Sequence, residues 1–352
     1  MPYLDFLRYS IDDEYPVPAS IDKLDWHGLY DFAAKQAIIG VIYHGIKRLP
    51  EGAPRPDTDL ELQWFGMAEA IRKRNMQLNM VAAKLQQNLA KAGFRSCILK
   101  GQGNALMYPD PYMRQAGDID VWLDGSKEDI IAYAKKDVYN PKILYHHVEY
   151  PIIKDIDIEL HFFPSYMLNP WSNARMQKYF ESTREQQFNN EKVLPQNTGV
   201  IFAPTVKFNF VMQLSHMLRH YLKGGLGLRH LIDFYFLMKN VHSDDEIKSL
   251  LDFSTEIGFR RFPLAVFYLL ETLFGTDLSC VDSDLKEKAG TKLLKDMIED
   301  GNLGKSNPLP DKGFKKRCVQ IKRLMHKAYI EPSEIPFIHY ARYWQKIKIS
   351  KT

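Results

Sequence analysis

Between Gly93 and about residue 200 the hydrophobic pattern of this chain changes from helical to strand-like, and then changes back. Helices repeat their apolar positions every 3.6 residues and half-buried strands every two, so one segment cannot satisfy both patterns. The first stretch, SIDKLDWHGLYDFAAKQAIIGVIYHGIKRL, has helical spacing with Ser20 as a candidate N-cap. After a GAPRP break, DLELQWFGMAEAIRKRNMQLNMVAAKLQQNLAKAG predicts one long amphipathic helix ended by Gly93. From residue 200 onward, helices are expected over roughly 205–222, 228–240, 244–252, 256–274, 285–299, 313–329 and 333–348. The expected architecture is α+β. A small mixed-sheet core (94–199) lies between an N-terminal helical segment (1–93) and a C-terminal helical domain (200–352).

Inside the core, RSCILK predicts a short buried strand, GNALMY one or two helical turns, and DIDVWLD an alternating strand. SKEDIIAYAKK predicts a surface helix capped by Ser126. ILYHHVEYPII and IDIELHFFP predict adjacent strands turning at Lys154–Asp155, and QQFNNEKVLP a further hairpin piece.

Two aspartates stand one residue apart at the start of the alternating strand. Residues i and i+2 of a strand share a face, so Asp118 and Asp120 project together while Ile119 and Val121 point away. Two adjacent carboxylates repel unless a cation neutralises them or one is protonated. Mg²⁺ suits such a pair, because it takes one or two carboxylates together with phosphate oxygens and water. In KDIDIELHF, the residues Asp155, Asp157, Glu159 and His161 share one face. If that strand neighbours the first, Glu159 or Asp157 supplies a third carboxylate, and three carboxylates on two strands suit two-metal phosphoryl transfer. A half-exposed acidic strand facing water is the plainer alternative for the pair taken alone.

The segment LKGQGNA places Lys100, Gly101, Gln102 and Gly103 between a strand and a helix start. Backbone N–H groups at such a start attract phosphate, and glycine permits close approach. It matches neither common Gly-rich phosphate signature, and an ordinary connector also fits. Arg114, just before the acidic strand, can bind phosphate or brace Asp118.

Together these residues resemble the DNA polymerase β-like nucleotidyltransferase superfamily and, within it, the bacterial family of uncharacterised nucleotidyltransferases. The resemblance rests on Leu99–Lys100–Gly101, Tyr108–Pro109–Asp110–Pro111, Arg114, Asp118–Ile119–Asp120 and Glu159–Leu160–His161. His216, His220, Leu228–Arg229 and Asp233 extend it to roughly residues 95–240. It implies Mg²⁺-dependent transfer of a nucleoside monophosphate from an NTP to an acceptor. Two ions are expected, with Mn²⁺ as a substitute, held by Asp118, Asp120 and Glu159. Lys100, Gly101, Gln102, Gly103 and Arg114 would meet the nucleotide. Gln102 departs from the superfamily pattern, which has Ser or Gly there. The alternatives are a non-catalytic nucleotide-binding module and a toxin-like transferase acting on RNA or protein.

Other features are open to plain readings. His216 and His220, four residues apart, form either a structural pair or two zinc ligands. Arg229 and Asp233 have ion-pair spacing, and KGGLG is a turn or a phosphate-facing loop. The net charge of +4 over 352 residues does not call for nucleic acid or a membrane. The basic stretches KGFKKRCVQIKRLMHK and RYWQKIKISK fit solvated helix faces or an anionic partner. Cys97, Cys280 and Cys318 are too widely spaced for a cysteine zinc site or a disulfide framework. The acidic opening MPYLDFLRYSIDDEYP lacks a secretory pattern, and no apolar run approaches the ~18 residues of a membrane span. A reducing, cytoplasmic setting is expected, with an NTP and an unidentified acceptor as partners.

Overall fold

The computed structural model describes residues 2–281, 284–300 and 313–338. The expected helix over 333–348 and the basic stretch 342–351 therefore lie mostly or wholly outside the described residues.

Helix α1 (Pro2–Ile11) opens the chain. The expected helix after Ser20 is instead two. Ser20 makes no capping bond; Asp25 caps α2 (Trp26–Gln36) by accepting from the Gly28 N–H. Ala37 then adopts a left-handed conformation at φ 57°, which breaks the helix before α3 (Ile39–Arg48). Helix α4 (Thr58–Lys91) is the long amphipathic helix, capped by Asp57 and followed by Gly93 at φ 90°.

The core then runs β1 (Ser96–Ile98), the single turn α5 (Gln102–Ala105), β2 (Ile119–Leu123), α6 (Lys127–Asp137), β3 (His147–Glu149) and β4 (Ile158–His161). Ser126 caps α6 by accepting from the Asp129 N–H. The strand order is β1-β2-β4-β3. β2 is antiparallel to β1 and parallel to β4, and β4 is antiparallel to β3. The turn between β3 and β4 includes Asp155 at φ 64°. Helices α7 (Pro170–Ser182) and α8 (Arg184–Phe188) follow, then a hairpin of β5 (Glu191–Val193) and β6 (Val200–Phe202). The hairpin takes in residues 200–202, which the helical pattern had assigned to the next segment. The chain continues with α9 (Val206–Lys223), α10 (Leu228–Met238), α11 (Asp244–Ile257), α12 (Phe262–Phe274), α13 (Asp284–Asp300) and α14 (Gly313–Lys327).

The alternation of β2 divides two hydrophobic cores. Ile119, Val121 and Leu123 pack with Leu78, Ala82, Leu85 and Leu89 of α4. Trp122 joins the other core, with ring centroids 4.7 Å from Phe188 and 5.8 Å from Phe208. That second core is continuous from Leu4 and Phe6 of α1 to Phe262–Phe274 of α12, so the two helical segments share one interior. No helix among the described residues is long and apolar enough to cross a membrane.

Candidate functional site

The site forms where the polar face of β2 and β4 looks onto α9 and α10. Asp118 directly precedes β2, and Asp120 lies within it, opposite Glu159 in the parallel register with β4. One carboxylate oxygen from each of Asp118, Asp120 and Glu159 lies within 4.8 Å of the others. Asp157 is one step before β4 and is exposed; its backbone carbonyl accepts from the Ile119 N–H at 2.9 Å. Register thus separates the two candidate third acids: Glu159 meets the aspartate pair, and Asp157 stands at the cleft rim.

Asp120 is 2% exposed. His161 Nε2–H donates to its Oδ1 at 2.9 Å and reaches Glu159 Oε2 at 3.2 Å. The Lys100 ammonium forms an ion pair with Oδ2 at 3.0 Å. Burial works against an ionised Asp120, yet Lys100 and His161 outweigh it and hold the carboxyl far below its usual range. Burial likewise works against a charged His161. Its bonds to Asp120 and Glu159 prevail and raise its pKa.

Lys100 and Gly101 follow β1, and the Leu99 N–H extends that pairing by donating to the Asp120 carbonyl at 2.9 Å. Gly101 has φ 60° and ψ −106°, a conformation that a side chain would strain. A Cβ there would sit 3.5 Å from the Asp118 carbonyl oxygen, so this turn touches the acidic strand itself. Gln102, expected to meet the nucleotide, is buried. Its side chain is 2% exposed, because the single turn of α5 directs it into the protein. Gly103 packs inward as well, where a Cβ would meet the Ala203 Cβ at 3.1 Å.

Arg114 does not brace Asp118. Its Nε and one terminal nitrogen each donate to Asp233 at 2.8 Å. Asp233 also accepts from the Tyr108 hydroxyl at 2.6 Å and from Asn104 at 3.4 Å. Burial would raise the Asp233 pKa, but Arg114 overrides it and keeps the carboxyl below its ordinary value. The expected Arg229–Asp233 pair is therefore replaced by a tie between the core and α10. Arg229 instead donates to the Gln115 carbonyl at 3.0 Å.

The far wall carries a cluster that helical spacing revealed only in part. His216 and His220 of α9 are joined by His230 of α10, with ring centroids 4.3, 4.9 and 5.6 Å apart. All three are held neutral. Burial is the main cause, reinforced for His216 and His220 by the Lys100 charge; His220 is pushed down to about 3. Lys100 Nζ lies 3.5 Å from His216 Nδ1 and so links the two walls. His230 has no periodic relation to the α9 pair and could not have been joined to it by spacing. The same holds for His146 and His147, which the β3–β4 pairing brings beside Glu159 and His161.

Between the walls is a cleft of ≈ 640 Å³, lined among others by Lys100, Asp118, Asp157, Glu159, His216 and Arg229. Its size lies in the range of small-molecule sites. Acids on one side face cations and neutral imidazoles on the other, an arrangement able to hold a polyanion together with a divalent cation.

The family described as "Uncharacterised nucleotidyltransferase" matches residues 22–275. Among solved structures, an antigenic nucleotidyltransferase-like protein from Paracoccidioides brasiliensis aligns at 13% identity over 56% of this chain and 92% of its own, with a TM-score of 0.32. No curated protein matches the chain.

Proposed function

The chain belongs to the uncharacterised nucleotidyltransferase family, and on that premise we propose that it transfers a nucleoside monophosphate from an NTP to an acceptor in the cleft between β2–β4 and α9–α10. The observation that carries this is the convergence of Asp118, Asp120 and Glu159 at a cleft that also presents Lys100 and Arg229. Asp120 Oδ2, buried and paired among the described residues only with the Lys100 ammonium at 3.0 Å, could exchange that partner for a hard cation, and the all-oxygen donor set fits Mg²⁺. Mg²⁺ bound there would neutralise phosphate charge and polarise the reacting phosphorus.

The residues of the chain divide the remaining work. Asp118 and Asp120, with Glu159, would hold the cation. Lys100 and Arg229 attract the triphosphate. Glu159, half-buried at the cleft, takes the proton of the attacking hydroxyl. His161 binds Asp120 and Glu159 with a single N–H, fixing their separation, and acts as a positioning residue. Arg114, Tyr108 and Asp233 fix α10, and with it Arg229, against the core.

Incubation with each labelled NTP, Mg²⁺ and cell extract, with pyrophosphate measured, tests the proposal. Labelled product and pyrophosphate are expected from the parent and not from Asp118→Asn. A second reading, nucleotide binding without transfer, is favoured by the Lys100–Asp120 ion pair, which occupies a carboxylate with a fixed cation. Calorimetric NTP binding without pyrophosphate release would select it.

A further inference from the structure

Beside the carboxylate group lies a second, nitrogen-rich set of metal-ligating side chains that shares Glu159 with it and adds His146 and His147, which the transfer reaction leaves unused. His146 and His147 come from the start of β3, and Glu159 and His161 from β4, with His147 directly opposite His161 in the antiparallel register. One ligand atom from each of these four residues lies within 4.8 Å of the others. We infer that His146, His147, His161 and Glu159 form a nitrogen-rich site for a late first-row divalent ion such as Zn²⁺, sharing Glu159 with the carboxylate site.

The spacing supports this. A tetrahedral zinc ion with bonds of about 2.0–2.1 Å has ligand atoms about 3.3–3.4 Å apart. Here His146 Nε2 and His147 Nδ1 are 3.3 Å apart, His147 Nδ1 and Glu159 Oε2 3.1 Å, and His161 Nε2 and Glu159 Oε2 3.2 Å. Three edges of the tetrahedron therefore already stand near their ligated lengths. His147 and His161 are 5% and 2% exposed, and the outward ring nitrogens, His147 Nε2 and His161 Nδ1, have no hydrogen-bond partner among the described residues. All the polar contacts of these two rings thus point into the cluster. An ion there takes the lone pair of His161 Nε2, so the neutral ring carries its proton on the free Nδ1 and exchanges the Nε2–H bonds to Asp120 and Glu159 for the metal bond.

Donor type separates this site from its neighbour. Three imidazoles and one carboxylate suit zinc, cobalt or nickel, whereas Asp118, Asp120 and Glu159 offer only oxygens and suit magnesium. Charge separates it from the His216, His220 and His230 group. Lys100 and Arg219 act on both groups, and Arg229 adds to them at the trio, whereas at the β3–β4 cluster the Asp120 and Glu159 carboxylates offset their charge.

The proposal does not depend on nucleotidyl transfer, and its test reads metal binding directly. The full chain, stripped with a chelator, is titrated with Co²⁺ and followed by its visible d–d bands. One ion per chain with the intense bands of tetrahedral coordination is expected. His147→Ala should weaken that binding by at least about 100-fold, the upper figure for loss of an outer-shell partner. His146→Ala, at the less buried ring, should do the same with an unchanged near-UV circular dichroism spectrum, which covers the case in which His147→Ala misfolds. Asp118→Asn and His220→Ala should leave the bands intact. Absence of tetrahedral bands overturns the proposal. Bands lost in His220→Ala but kept in His146→Ala would also overturn it.

Discussion

Arg114 grips Asp233 through two hydrogen bonds of 2.8 Å, across 119 residues of chain and from one structural segment to another. Both groups are buried, so each neutralises a charge that the other would otherwise leave stranded. Removing one partner of such a pair costs about 3–5 kcal/mol. Asp233→Ala is expected to lose that much stability in urea denaturation. A loss under about 1 kcal/mol, the value of an exposed pair, would show that the pair does not hold α10.

The two aspartates should respond differently to neutralisation. Repulsion between them suggests that removing either charge relieves strain. Asp120, however, is already compensated by Lys100 at 3.0 Å and His161 at 2.9 Å. Asp120→Asn strands those cations and should lower stability by about 2–4 kcal/mol. Asp118→Asn, at a half-buried position, should stay within about 1 kcal/mol of the parent. Both should abolish pyrophosphate release. Equal melting temperatures in the two variants would contradict the asymmetry.

Gly101 offers a test of the turn. A Cβ there would find ordinary contact at 3.5 Å, so the expected penalty is conformational rather than steric. Forcing a side chain into φ 60°, ψ −106° costs about 1–3 kcal/mol. Gly101→Ala should therefore destabilise by that amount, and the NTP KM should rise as the turn shifts from Asp118. An unchanged melting temperature would show that the turn relaxes freely.

Glu331 gives the fold a pH dependence. It is fully buried, accepts from the Arg260 N–H at 2.8 Å and from the Ser333 hydroxyl at 2.7 Å, and has Glu334 nearby. Burial pushes its carboxyl up to about 7 from the usual 4.5. Because the folded pKa is the higher one, the native state binds more protons than the unfolded chain between those values. The contribution of Glu331 to stability therefore falls as pH rises through that window, by about 3 kcal/mol, against the opposite trend of the buried histidines. Glu331→Gln should remove that contribution and leave the protein more stable than the parent at pH 8. A parent-minus-variant stability difference that stays constant across the window would refute the assignment.

The site was legible where local periodicity carried it. Asp118 and Asp120 announce a shared face because a strand repeats every two residues, and the switch in pattern marked out the sheet. The match over residues 22–275 reaches well into both helical segments, beyond the span of the quoted motifs. Relations set by tertiary packing were hidden. Glu159 rather than Asp157 meets the pair because of strand register, which no single strand reveals. Asp233 bonds Arg114 rather than its helical neighbour Arg229, because a buried bidentate partner outcompetes an i,i+4 contact. Helix α7 was missed although its signals, the Asn169 cap and Pro170 at the first turn, were present; its sequence is too polar to show an apolar stripe.

The continuous core that joins α1 to α12 has a consequence for synthesis. On the ribosome, α1 to α4 and then the sheet emerge long before the helices that complete their packing. At ~5–20 residues per second, the interval between Trp64 and Phe274 is roughly 10–40 s. For the later part of it the acidic strands are already synthesised, while the wall bearing His216, His220 and Arg229 is incomplete and apolar surface lies open to chaperones. The cleft should thus be completed late, when α9 and α10 pack against the sheet.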